Sequence, residues 1–153
     1  MKLISAAFRN GKKIPRKYTG EGENISPAFV FEDVPKDAKE LVLICHDPDA
    51  PRIFDGHIGF SHWVLYDIPP TTTKLEENVK GFKRGINDAK KLGYTGPMPP
   101  VKHGKHHYFF TLIALKKKMN LDKDLSMTEV LKAIESSVIA VARVVGTYKR
   151  NRK

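Results

Sequence analysis

With one cysteine in 153 residues, the chain has no internal disulfide available and must hold its fold by packing alone. That cysteine, Cys45, closes the apolar run "LVLIC" (41–45), which marks it as a small buried hydrophobe rather than a nucleophile. No apolar stretch approaches the roughly 18 residues of a membrane span. The N-terminal "MKLISAAFRNGKKIPRK" meets Arg9 before the apolar core of a signal peptide could form. A soluble cytoplasmic protein without a transmembrane segment is therefore expected. There is no internal repeat, no low-complexity linker and no mid-chain change of composition, which leaves a single domain over 1–153.

Carboxylates are in short supply. Against 27 Lys and Arg stand 17 Asp and Glu, and the net charge of +10 favours loose attraction to nucleic acid, anionic lipid or phosphorylated partners. Part of the excess lies in "LKKKMN" (115–120) and in the tail "YKRNRK" (148–153), runs that ordinarily form solvated surface.

Catalytic signatures are also missing. No G-x-S-x-G elbow is present, and Ser61 and His62, as neighbours on a strand, point to opposite faces. No enzyme and no cofactor are expected. His46, Asp47, Asp49, His57, His62, His103, His106 and His107 could supply metal ligands, and a metal-dependent hydrolase stays as an alternative. Their spacing is irregular, with no helical H-x-x-x-H and no cysteine pair. A further alternative is nonspecific nucleic-acid binding through the basic runs, with Phe109 and Phe110 as stacking platforms, although both aromatics read as core.

What is present reads mainly as β. "KLISAAF" (2–8) predicts a first strand, and "IPRKYTGEGENISPAFVF" (14–31) a long loop leading to a short strand near 28–31. Residues 40–46 are apolar on both parities, as in a strand buried on both faces. "SHWVLYDI" (61–68) and "HHYFFTLIAL" (106–115) complete three core strands of a mainly antiparallel architecture. Ser126 and Glu129 have capping-box spacing, so a helix starts there and runs to about 136. Residues 138–148 are either a strand or a continuation of that helix.

Each core strand has polar residues at one end. Asp47 and Asp49 follow the first, His62 opens the second, and His106 with Tyr108 opens the third, both on one face because side chains alternate. Between them "GYTGPMPP" (93–100) is a stiff loop whose Gly96 and Met98 amides could donate to an anion. Singly, Asp47 also reads as a turn residue, His62 as a satisfied core histidine and Tyr108 as core.

Taken together, "ENISPAFVFEDVP", "DPDAP", "SHWVLYDIP", "GIND", "GYTGPMPP", "HHYFFTLIAL" and "VVGTYKR" resemble, in order and over nearly the whole chain, the phosphatidylethanolamine-binding proteins. These are also called Raf kinase inhibitor-like proteins, and the likeness is to their bacterial and archaeal branch. The resemblance implies an antiparallel β-sandwich with a few short helices and a small pocket for phosphate-type anions. It assigns Asp47, His62, Gly96, Met98, Pro100, His106 and Tyr108 to that pocket. It places Asp47 beside His62, holding its imidazole by a hydrogen bond. Imidazolium formation would then strengthen anion binding near pH 6 relative to pH 8.

The implied role is a binding module for a phosphorylated small molecule, lipid head group or phosphoresidue, with inhibition of a kinase or protease among its forms. A homodimer is left open, and no specific nucleic acid is implied. The chain departs from the family pattern in the longer "RIFDGHIGFS" (52–61), which leaves the place of Asp55 and His57 at the pocket rim open. It departs again at Ala89 and Lys90, where an aromatic and a glycine are expected. A C-terminal gating helix like that of the long eukaryotic members is not expected.

Overall fold

Why Glu40–Asp47 is apolar on both parities becomes clear in a computed structural model of the chain, which describes residues 1–151. This strand lies in the middle of a six-stranded sheet covered on both faces. The strands are β1 Lys2–Ser5, β2 Lys12–Lys13, β3 Phe29–Glu32, β4 Glu40–Asp47, β5 Ile53–Phe54, β6 His57–Ile58, β7 Phe60–Ile68, β8 Lys74–Leu75, β9 Lys83–Arg84, β10 His106–Leu115 and β11 Val138–Tyr148. Among the described residues there is one α-helix, α1, Met127–Ile134, besides single 3-10 turns at Arg16–Tyr18 and Val101–His103. The large sheet has the order β2-β11-β10-β4-β7-β9, and β1-β3-β8 form a second sheet. Pairing is antiparallel except where β2 meets the end of β11.

Alternation along the strands sorts side chains into two cores. Leu41, Leu43 and Cys45 of β4, Trp63 and Leu65 of β7, and Phe110 and Leu112 of β10 pack with Phe29, Phe31 and Leu3 of the small sheet. Val42, Ile44, Val64, Tyr66 and Ile113 face the other way, onto Met127, Val130 and Ile134 of α1. The cysteine is buried, and burial pushes its thiol well above the ordinary range, so it stays protonated and unreactive.

Residues 138–148 are a strand. The helix ends at Ile134 with Glu135 as its C-cap, and the β-branched Val138 and Ile139 follow a turn in which Ser137 N donates to the Ile134 carbonyl at 2.8 Å. The helix thus stops two residues short of the predicted end. At its start the capping box is made on both sides, with Ser126 Oγ accepting from Glu129 N and Glu129 Oε1 accepting from Ser126 N. The first strand is also shorter than read, ending at Ser5. The last two residues of the basic tail lie outside the described residues.

Lys90 is exposed and adopts φ 64°, a left-handed conformation, at the position where the resemblance calls for glycine. A β-carbon in that region costs roughly 1–2 kcal/mol, partly offset by the extra freedom glycine has when unfolded. Lys90→Gly is expected to stabilise the fold by about 0.5–1 kcal/mol in urea denaturation, and a destabilised variant would contradict it.

Candidate functional site

The polar ends of β4, β7 and β10 meet the Pro-rich loop around a cavity of about 490 Å³. All seven candidate residues, Asp47, His62, Gly96, Met98, Pro100, His106 and Tyr108, line it. Sequence reasoning did not single out Arg52, Phe60 and Thr95, which line it too, and offered His103, also in the lining, only as a metal ligand.

His62 reaches the cavity through an irregularity in pairing. Cys45 pairs with Trp63, but His46 pairs with Ser61, leaving His62 as an extra residue in β7. Simple alternation from Trp63 would send His62 to the α1 side with Val64, and the bulge turns it back toward Asp47 and Tyr108. Its ring packs on Phe60 at 4.7 Å and edge-on against Tyr108 at 5.1 Å between centroids. His62 Nδ1–H donates to the Thr95 carbonyl at 2.7 Å, and Thr95 N donates back to the His62 carbonyl at 3.0 Å. Burial pulls the His62 pKa down to about 4, against the opposing pull of the Thr95 carbonyl and Asp47. His62 is therefore neutral from pH 6 to 8, contrary to the expectation that it would titrate there.

The partner of Asp47 is also not the expected one. Its Oδ2 accepts from His106 Nδ1–H at 2.6 Å, and its Oδ1 accepts from Asp49 N at 2.8 Å. Both His106 and Asp47 are buried, so the carboxylate fixes the tautomer and orientation of His106 and leaves Nε2 for a ligand. His103 stacks on the His106 ring with centroids 5.5 Å apart. The Tyr108 hydroxyl is buried, with no hydrogen-bond partner among the described residues. Burial, and next the Asp47 carboxylate, push its phenol well up, so it keeps its proton and can donate.

The Pro-rich loop is held from below. Gly96 N, expected to donate to an anion, donates instead to Asn24 Oδ1 at 2.7 Å. Any side chain at Gly96 would strike the Tyr18 carbonyl, 2.3 Å from an ideal Cβ. Gly20 N donates to the Pro97 carbonyl, and Arg150 Nε to that of Pro99. Of the two amides singled out, that of Met98 has no partner among the described residues. Asn87 is the deepest strut: its Nδ2 donates to the Gly93 carbonyl and Thr95 Oγ1, and its Oδ1 accepts from Ala89 N and Lys91 N.

The other candidate metal ligands fall into separate groups. His57 Nε2–H donates to Asp88 Oδ2 at 2.9 Å, and its Nδ1 lies 3.2 Å from His46 Nε2. Asp49 Oδ2 accepts from both N and Nδ1 of His107. Among the described residues, no group of three or more His, Cys, Asp or Glu is placed to hold a metal ion. The longer 52–61 segment forms the β5–β6 hairpin, turning at Asp55 and Gly56, both at positive φ. Its tip leans away from the cavity, with Asp55 Oδ2 accepting from Ser126 Oγ and neither Asp55 nor His57 in the lining, while Arg52 and Phe60 at its two ends do line the cavity. A broader groove of about 900 Å³, mainly aliphatic, runs between α1 and the outer face of β10 and β11 and contains none of the seven residues. Among the described residues no helix is long and apolar enough to cross a membrane.

Residues 4–149 match the phosphatidylethanolamine-binding protein family. A protein of Aquifex aeolicus described as a UPF0098 protein is 43% identical over 159 residues, covering 99% of this chain and 90% of that relative. The crystal structure of a putative phosphatidylethanolamine-binding protein homolog from Chlamydia trachomatis superimposes with a TM-score of 0.90 at 36% identity, covering 98% of this chain and 97% of that one. YbcL of E. coli, described as a member of the mammalian family, gives 0.88 at 29% identity, covering 98% of each chain. On its sequence and its fold alike, the chain belongs to the phosphatidylethanolamine-binding protein family.

Proposed function

We propose that the cavity is a binding site for the phosphate group of a small molecule, lipid head group or phosphorylated residue, and that the protein is a binding module rather than a catalyst. The observation that carries this reading is the Tyr108 hydroxyl, a buried, protonated donor with no partner among the described residues, on a residue that lines the cavity with His106 and Arg52. Tyr108 can donate to an anion, Asp47 fixes His106, and the Arg52 guanidinium at the wall supplies positive charge. No activated nucleophile accompanies them. The Ser61 hydroxyl is buried, with no imidazole or other hydrogen-bond partner among the described residues.

Phosphate should bind in the millimolar to micromolar range, about 4–8 kcal/mol, as expected for a few charge-assisted hydrogen bonds. Titration with phosphate and phosphoethanolamine, followed by amide NMR shifts, should move Thr95, Met98 and Tyr108 together. Tyr108→Phe keeps the ring and removes the donor, so affinity should fall roughly tenfold or more. Unchanged affinity in a folded Tyr108→Phe variant would place the anion elsewhere.

A further inference from the structure

The two nitrogens of His62 have different tasks, and the division fixes what the cavity asks of a ligand. Nδ1–H is committed to the Thr95 carbonyl at 2.7 Å, so the neutral ring has only Nε2 left for the cavity, as a lone-pair acceptor. A fully ionised phosphate or sulfate oxygen placed there would meet lone pair with lone pair. A phosphate bearing one proton would meet it with a P–O–H donor, while its charged oxygens turn to Tyr108 and Arg52.

We infer that the site selects the protonated, singly charged form of a phosphomonoester, with P–O–H donating to His62 Nε2, over phosphodiesters and sulfate. This rests on the anion-binding reading above and narrows it to one protonation state. No proton is transferred; the selected ion keeps its hydrogen and shares it with the imidazole. The surroundings of His62 keep Nε2 an acceptor. Phe60 and Tyr108 pack on the ring, the Thr95 carbonyl holds Nδ1–H, and the nearby charges are those of Asp47, His46 and Asp88. Asp47 and Asp88 favour a proton on the ring, and His46 when charged opposes it, but burial outweighs them all and the ring is neutral above about pH 4.

The test compares methyl phosphate, dimethyl phosphate and sulfate by calorimetry, with amide NMR to locate each. A phosphomonoester loses its second proton near about pH 6. At about pH 5.5, methyl phosphate should bind roughly tenfold tighter than dimethyl phosphate, a singly charged ion with no P–O–H. The affinity ratio of methyl phosphate to sulfate should fall as the pH rises to about 8; using the ratio cancels any common effect of histidine charge on anion binding. His62→Gln, whose amide can offer N–H to the cavity, should lose most of the preference. In the wild-type protein, imidazole 15N shifts should show an unprotonated His62 Nε2 that moves on adding methyl phosphate, a reading that needs no variant. Equal affinity for all three ions in the cavity, or a protonated Nε2 at about pH 6, overturns this inference and leaves the anion-binding reading standing. Binding of none of the three in the cavity would remove that reading too.

Discussion

Asn87→Ala is expected to cost about 3 kcal/mol of stability. Asn87 is 1% exposed and uses both donors and both acceptor sites of its amide. Truncation strands the Gly93 carbonyl, Thr95 Oγ1 and the amides of Ala89 and Lys91 at once. Each buried polar group left unpaired costs roughly 1–3 kcal/mol, and the total stays well below the sum because some of the four can reach water. For a domain of this size that corresponds to a fall in Tm of roughly 6–12 °C. Asn87→Asp should be nearly as damaging, since a carboxylate cannot donate to the Gly93 carbonyl. The loss should extend to function: Thr95 holds both the backbone and the Nδ1 of His62, so a loosened Thr95 releases the ring that faces the ligand. Urea denaturation with amide NMR of the native state tests both parts. A variant within about 0.5 kcal/mol of wild type would show that water replaces the amide without penalty.

The core strands were legible because burial on two faces leaves an uninterrupted apolar run, and 106–115 matches its predicted limits. The capping box was legible because its chemistry is local to Ser126 and Glu129. Strands β2, β8 and β9 were not, since two residues carry no periodicity and pair only because a neighbouring strand presents an edge. The β5–β6 hairpin does carry a local signal, the Asp55-Gly56 pair within the longer 52–61 segment.

At the site, the residues singled out from the sequence line one cavity, but some of their contacts differ from those expected. That Asp47 holds His106 rather than His62 depends on the register of β4 against β10 and on a bulge in β7, neither of which is written in any one segment. The capture of the Gly96 amide by Asn24 joins two loops far apart in the chain. Arg52 was hidden because a charged residue after "DPDAP" looks like any other surface cation.

Acid should weaken the fold through His62 by about 3 kcal/mol between pH 6.5 and 4. The ordinary histidine pKa of 6.5 applies to the unfolded chain, and burial lowers it to about 4 in the native one. Below pH 6.5 the unfolded chain takes up a proton that native His62 refuses. Stability from the neutral, buried ring is therefore complete above the unfolded value, declines as pH falls at up to 1.36 kcal/mol per pH unit, and stops declining below about 4. His46, whose pKa is also lowered, first by burial and then by the neighbouring His57, acts in the same sense. At Asp49, burial raises the pKa, but the two hydrogen bonds from His107 outweigh it and hold the carboxyl below its usual 3.8, so its loss comes at lower pH. His62→Gln keeps both of these and removes only the proton uptake at residue 62. Urea denaturation at several pH values between 7 and 4.5 should therefore show a steeper decline for wild type than for the variant. Parallel curves would mean that native His62 takes up its proton as readily as the unfolded chain does. In that case Nε2 would be a donor in the acidic range, and a doubly charged oxyanion would become the better ligand there.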